Sequence, residues 1–297
     1  PSSKKKIIKG GFFMTRRRFP VGKTLLYVFM SLWALTTIYP FIWVILNSFK
    51  PRGLIRSDTF SLPIGDKFTL ENYVTAFKRV DIGTAYVNSI VISGAVTVVV
   101  MVLAGLAAYA MVRYSFRLRG FLHSMIIASM MFPVFSTIIP VFRMESSWGI
   151  VNTGSIWLTR LSVVLPQIAG NLSFAIIVLM GFIRSLPVDL EEAAYLEGYN
   201  VYQIFFRIIM PLAKPSFATV GIFTFLWSYN DLFLQMFFLR SKKFFTITRL
   251  LNEISSQAGT HYGLMVAAVV MVVIPVLVVY IFMNYSKKGF EIAILGE

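Results

Sequence analysis

The chain has 297 residues, 57% of them hydrophobic and only 14% charged. A soluble globular protein carries about a quarter charged residues, so this chain has too little polar surface to cover its apolar content in water, and a bilayer is its natural solvent. The absence of Cys excludes a disulfide framework, Cys-ligated zinc, an iron–sulfur cluster and a Cys nucleophile, and two His leave no basis for a His-built metal site. The net charge of +15 does not describe a nucleic-acid binder, because the basic residues flank long apolar runs instead of forming one stripe. Flanking charge of this kind sets membrane topology and contacts anionic headgroups.

A helix needs roughly 20 apolar residues to cross about 30 Å of hydrocarbon. Six such runs occur, approximately from Thr24 to Leu46, Val87 to Val112, Phe121 to Phe142, Leu161 to Ile183, Leu212 to Leu239 and Leu264 to Asn284. They predict an all-α polytopic bundle with six transmembrane helices. Pro133 and Pro140 interrupt the third run and Pro275 the sixth, so kinks are expected there. The first run is too long for a cleaved signal peptide and lacks a small-residue cleavage site, so it is expected to stay as an anchor.

Upstream of that run, Lys4, Lys5, Lys6, Lys9, Arg16, Arg17, Arg18 and Lys23 occur with no acidic residue. The positive-inside rule therefore puts residues 1–23 in the cytoplasm, and six crossings return the tail, 285–297, to the same side. Arg113, Arg117 and Arg119 in the second connection agree. Arg240, Lys242 and Lys243 do not, since they fall on the outer side, where an acidic partner outside the membrane is one account of them. In the second run Gly94, Ala95, Ala104, Gly105, Ala107 and Ala108 allow close helix approach.

The one acidic cluster lies between the fourth and fifth runs. Pro187 suits a first helical turn, and Asp189, Glu191 and Glu192 place negative charge at the positive end of the helix dipole. Leu190, Ala193, Ala194, Val201, Ile204, Phe205 and Ile208 recur at helical spacing as an apolar stripe with Glu197 lying on it. Gly198 interrupts the stripe, which predicts two short helices at an angle. The pair is too polar to span, and anionic lipid would repel it. A groove on a soluble protein partner is the favoured home, and a folded intramolecular elbow is the alternative.

At these residues the sequence resembles a family. Glu192-Ala193-Ala194, Gly198, Ile208, Met210-Pro211 and Pro215 are similar to the EAA loop of the inner-membrane permease subunits of binding-protein-dependent ABC importers. Glu197 stands where Asp is common, Tyr199 where Ala is common and Met210 where Leu is common. Asn47-Ser48-Phe49-Lys50, Glu71-Asn72-Tyr73, Asn88-Ser89, the run Leu106 to Gly120 and Phe225 to Asp231 extend the likeness to the smaller, six-span permease of the maltose-type carbohydrate branch.

The resemblance implies a permease body over 24–284 with a coupling helix at about 188–203 that docks on a separate ATPase dimer. The residues implicated are Glu191, Glu192, Ala193, Ala194, Glu197, Gly198, Phe205 and Pro211, with Glu192 contacting the ATPase and Gly198 permitting the bend. It implies no cofactor on this chain, with ATP and Mg on the partner ATPase. The other implied partners are a second permease, an extracytoplasmic solute-binding protein, membrane lipid and a carbohydrate substrate, in a bacterial inner membrane. An external loop at about 240–263, with Asn252, Ser255, Ser256, Gln257, Gly259 and Thr260, resembles the one that enters the binding protein's sugar cleft. The tail, with Lys287, Lys288 and Gly289, resembles one that contacts the ATPases.

Gly22-Lys23-Thr24 mimics the end of a phosphate-binding loop, but Arg17 stands where the first glycine of such a loop belongs. Two other classes fare worse than a permease. A secondary transporter needs buried acids or bases within its spans, and the runs offer only His123, Lys214 and Asp231. A membrane-embedded enzyme needs a carboxylate cluster with a partner base or metal ligand, and none accompanies Asp189, Glu191 and Glu192; no catalytic and no metal-binding residues are expected. For the substrate path, Trp227, Tyr229, Asn230 and Asp231 form a polar and aromatic island in the fifth run, joined by Asn171 and Ser173 in the fourth. Aromatic faces and amides suit a sugar, while an outer interfacial belt with a helix cap is the competing reading.

Overall fold

The computed structural model describes residues 21–79, 81–258 and 261–295. Outside it lie the basic stretch 1–20, Val80, Gly259, Thr260 and the last two residues, together with the side chains of Val21, Arg79, Ser255, Gln257, Ala258, Val279 and residues 282–295. The described residues form helices joined by short connections, in two units, Pro1–Val44 and Ile45–Glu297.

The first unit holds most of α1 (Val21–Ser48). Its side chains are apolar all round and exposed, including Leu25, Trp33 and Ile38. In water that surface would aggregate, whereas in a bilayer hydrocarbon covers it.

The second unit begins with a tightly tied loop. Lys50 is fully buried and its Nζ donates to the carbonyls of Asp58 at 3.0 Å and Thr59 at 2.8 Å. Asn72, in α3 (Glu71–Arg79), donates from Nδ2 to the carbonyls of Ser48 and Lys50 at 2.9 and 2.8 Å. The Ser48 and Tyr73 hydroxyls meet at 2.7 Å. The Asn-Ser-Phe-Lys and Glu-Asn-Tyr motifs are thus two halves of one clasp, and α2 (Arg52–Ser57) lies inside it. Lys67 donates to Asp58 at 2.6 Å and holds that carboxyl below the ordinary carboxylate range.

The body is built on α4 (Ile82–Arg113), capped by the Asp81 carboxylate accepting from the Thr84 amide at 2.9 Å. It packs against α7 (Ile156–Ser185) and α10 (Lys214–Asn230). The expected small-residue face is used: Ala104, Gly105 and Ala108 are buried, and a Cβ on Gly105 would lie 2.9 Å from the Phe205 ring and 2.8 Å from that of Phe217. Two apolar clusters stack along α4, one around Ile92, Phe238 and Leu250, the other around Val100, Leu179 and Phe217.

The third and fifth expected crossings are broken. The third becomes α5 (Arg119–Ser129) and α6 (Val134–Ser147), bent by 104° at Pro133, whose missing N–H and ring forbid a continuous helix. The fifth expected crossing ends early. α10 stops at Asn230, and Asp231 caps the separate helix α11 (Leu232–Phe238) by accepting from the Leu234 amide at 3.2 Å. The expected external loop is largely the amphipathic helix α12 (Ile247–Ala258), because Ile247, Leu250, Leu251 and Ile254 recur at helical spacing and bury one face. α13 (Tyr262–Leu295) follows with Pro275 inside it.

Among the described residues three helices, Gly22–Ser48, Ile82–Arg113 and Ile156–Ser185, are long and apolar enough to cross a membrane alone, and counting the two bent pairs as spans raises the number to five. The sixth expected crossing falls in α13, whose described apolar stretch, Tyr262–Val278, is shorter.

Candidate functional site: a two-faced elbow

Between α7 and α10 the chain turns back on itself as α8 (Asp189–Leu196) and α9 (Val201–Leu212), with a wide π-turn at Phe205–Ile209. Asp189, Glu191 and Glu192 fill the first turn of α8. Helix α8 ends because Gly198 adopts φ +85°, a conformation that costs an L side chain about 1–2 kcal/mol. Asn200 then starts α9 with a reciprocal cap: its Oδ1 accepts from the Gln203 amide, and its own amide donates to Gln203 Oε1, each at 2.9 Å. α9 meets α10 at 82°, with Pro211 and Pro215 flanking the bend.

One face of the elbow is anchored. Glu191 is buried, its Oε1 accepting from Arg113 Nε at 2.5 Å and its Oε2 from the Tyr109 hydroxyl at 2.8 Å. Arg113 Nη2 also donates to the Leu186 carbonyl at 2.9 Å. Ala194, Ile204 and Phe205 are buried beside this pair, and the Tyr109 and Phe205 rings lie 5.6 Å apart. The Tyr195 and Tyr114 hydroxyls meet at 3.0 Å, and that hydrogen bond, then desolvation, pushes the Tyr195 hydroxyl above the ordinary phenol range. The last turn of α4 and the first turn of α8 are therefore tied together.

The other face is bare. Glu192, Ala193, Glu197 and Gly198 are exposed, and Leu196 at the apex is 91% exposed. Glu197 leaves the apolar stripe because α8 stops one residue earlier. Of the eight expected coupling residues, Glu192, Ala193, Glu197, Gly198 and Pro211 are exposed, whereas Glu191, Ala194 and Phe205 are buried. Sequence reasoning missed Arg113 and Tyr109 as partners of Glu191. The available signal was helical spacing, which puts Glu191 on the face of Ala194 three residues on.

The expected substrate-path residues do not share one surface. Trp227 and Asn230 are exposed on α10, with Trp227 against Phe174 at 4.8 Å and Phe223 at 5.7 Å. Tyr229 is fully buried in the core, and Asn171 is buried with Nδ2 donating to the Gln167 carbonyl at 2.7 Å. Asp231 Oδ2 accepts from Gln167 Nε2 at 3.2 Å, and Ser228 Oγ donates to Gln167 Oε1 at 2.6 Å. These inward groups form a seam between α7 and α10. Among the expected binding-protein contacts, Asn252 is half-buried and Ser256 is exposed on α12, Ser255 and Gln257 lie on the same helix, and Gly259 and Thr260 fall outside the described residues. No group of three or more metal-ligating side chains occurs among the described residues.

Residues 100–292 match the family of binding-protein-dependent transport system inner membrane components. The chain belongs to that family. The permease is 34% identical to the diacetylchitobiose uptake system permease protein NgcG of Streptomyces coelicolor, over 86% of this chain and 82% of that one. It is 32% identical to the trehalose transport system permease protein SugB of Mycobacterium tuberculosis, over 85% of this chain and 90% of that one. Its fold matches that of a chain from a bacterial ABC transporter that imports the acidic polysaccharide alginate, with a TM-score of 0.76, 23% identity, and 89% and 96% of the two chains covered. The permease is accordingly an inner membrane component of a binding-protein-dependent transport system, and the family match covers the elbow.

Proposed function

We propose that this chain forms half of the translocation path of an ATP-driven carbohydrate importer in a bacterial inner membrane and receives its drive through the α8–α9 elbow. The observation that carries the reading is the two-sidedness of the elbow. Glu191 locks one face to α4 through Arg113, while Glu192, Leu196 and Glu197 stand bare on the other. A bare apex with an apolar tip and flanking carboxylates fits a groove on a soluble partner, and that partner is a separate ATPase dimer holding ATP and Mg. Closure of the dimer displaces the elbow, and the Glu191–Arg113 tie passes the displacement to α4 and the helices packed on it.

The chain itself is non-catalytic and binds no cofactor. Both termini face the cytoplasm, a second and different permease completes the path, and a solute-binding protein delivers the cargo. The carbohydrate assignment rests on the relatives named for diacetylchitobiose and trehalose, with Trp227 and Asn230 as the exposed groups suited to a sugar. Uptake of labelled oligosaccharide by cells carrying the transporter is expected to stop on ATP depletion and to continue in the presence of an uncoupler. Uptake that an uncoupler abolishes while ATP is maintained contradicts the reading and favours a secondary transporter.

A further inference from the structure

At the end of the bundle that carries the elbow, a cavity of about 230 Å³ opens between α4, α5 and α7. Its lining is Met111 of α4, Arg119, Gly120 and His123 of α5, and Met180 and Arg184 of α7. The two methionines are buried, Arg119 and His123 are half-buried, and Arg184 is exposed. A Cβ on Gly120 would meet nothing within 4 Å, so that stretch of the wall stands clear.

Three features set this cavity apart from an ordinary packing gap. First, its basic groups are on an inward face. Arg119 and His123 are four residues apart and therefore neighbours on one side of α5. With Ile126 they are the residues of α5 that are not exposed, and α5 packs on α7. A membrane helix turns apolar side chains to its bundle by default, and an ionisable group placed there instead marks a site with a partner. Here an arginine and an imidazole face a second arginine across the gap.

Second, these groups have no acid. The ion pairs among the described residues join Asp58 to Lys67, Glu191 to Arg113 and Glu253 to Arg249, and none involves Arg119, His123 or Arg184. The acidic residues next along the chain do not supply one: Glu191 is taken by Arg113 and Tyr109, and Asp189 and Glu192 form no pair with Arg184. The first turn of α5 contains no acidic side chain either. Two guanidinium groups gathered without an anion repel each other, and a bound anion removes that cost.

Third, the surroundings are apolar. Leu118, Phe121, Leu122 and Met125, on α5 and just before it, are exposed. A ligand seated in the cavity thus carries one anionic group and continues along hydrocarbon.

We propose that this cavity holds the phosphate of an anionic phospholipid from the leaflet on the elbow's side, with Arg119 and Arg184 as its charge partners and the His123 imidazole N–H donating to the same group. Guanidinium forks match phosphate oxygens two at a time, and basic pockets between membrane helices suit anionic headgroups. The cavity has room for a phosphodiester but not for acyl chains, which lie outside against α5. Bound there, the headgroup bridges α5 to α7 and joins the inner half of the broken third crossing to the body. Met111 stands two residues before Arg113, so the lipid sits beside the tie that anchors the elbow. The inference goes beyond the importer reading and needs only that the chain is an inner membrane component.

The test uses the whole transporter in nanodiscs of zwitterionic lipid. The chain contains no Cys, so Phe121→Cys, at an exposed position that does not line the cavity, takes one fluorophore once the other subunits have been freed of reactive thiols. Phosphatidylglycerol with a spin label at the top of one acyl chain is then titrated in, and quenching is followed against its mole fraction. Arg119→Gln with Arg184→Gln is expected to raise the half-quenching fraction by at least about tenfold. Arg117→Gln, at an exposed neighbour outside the cavity, is expected to leave it unchanged. Arg119→Lys with Arg184→Lys, which keeps the charge, is expected to stay within about threefold of wild type. Should the Gln pair not assemble, Arg184→Gln alone, at an exposed position, carries the same test.

Equal quenching by spin-labelled phosphatidylcholine overturns the proposal, as does a half-quenching fraction that the Gln pair leaves where it was. Release of the quenching by millimolar glycerol phosphate at unchanged lipid composition also overturns it, because the site then belongs to a soluble phosphate ester. An equal shift from Arg117→Gln shows diffuse surface attraction in place of a site and has the same consequence.

Discussion

Replacing Glu191 by alanine is expected to destabilise the assembled protein and to disconnect ATP hydrolysis from transport. The carboxylate is 5% exposed and pairs with an Arg113 side chain that is 11% exposed. Removing one member of a buried pair leaves an uncompensated charge, which costs about 3–5 kcal/mol. Tyr109 loses its acceptor at the same time. Glu191→Gln keeps the shape and an acceptor for Tyr109, so its loss should be smaller, about 1.5–3 kcal/mol, the range for hydrogen bonds to charged groups. Thermal unfolding in nanodiscs measures the first effect and cargo-stimulated ATPase activity the second. A Glu191→Ala protein within about 1 kcal/mol of wild type, still fully stimulated, contradicts the anchoring role. Glu192, one residue on and exposed, should tolerate alanine with little loss of stability while still weakening ATPase contact.

The second large effect is expected at Gly198. Its Cβ would meet nothing within 4 Å, so any penalty comes from the backbone at φ +85° and not from a clash. Valine resists this region strongly, and the cost of about 2–3 kcal/mol lowers occupancy of the bent elbow by roughly 30- to 150-fold. Alanine should cost less, and asparagine, which visits left-handed conformations, least. Coupled uptake is therefore expected to fall in the order Asn, Ala, Val. Equal activity across the three substitutions would show that the bend at this glycine does not matter to coupling.

The sequence made some levels of this organisation readable and hid others. Length and hydropathy locate α1, α4 and α7, because an uninterrupted run of about 20 apolar residues has few other uses. The elbow was legible too, since an acidic first turn and a glycine interrupting the apolar stripe are local signals, although the Asn200–Gln203 cap went unread. The inward turn of Glu191 was not, because its partner Arg113 is 78 residues away in sequence and composition treats every surface acid alike. Asp231 read as part of a span because a single polar residue does not erase an apolar run, yet its carboxylate caps α11 and ends α10. The segment after Arg240 read as a polar loop through its serines and asparagine, although the spacing of Ile247, Leu250 and Ile254 already described a helix. The clasp of Lys50 and Asn72 was visible only as two separate motifs.

The account rests on the elbow as the point where a separate ATPase takes hold, and one measurement addresses that directly. The chain contains no Cys, so Leu196→Cys supplies a single thiol in this chain at the most exposed point of the elbow. A short bifunctional reagent applied to the assembled transporter in native membranes is expected to join this chain to the ATPase at position 196, and not to do so from Thr153→Cys near the opposite end of the bundle. A transporter that hydrolyses ATP and takes up its cargo, yet gives no ATPase adduct at position 196 or gives one from position 153 instead, contradicts the account.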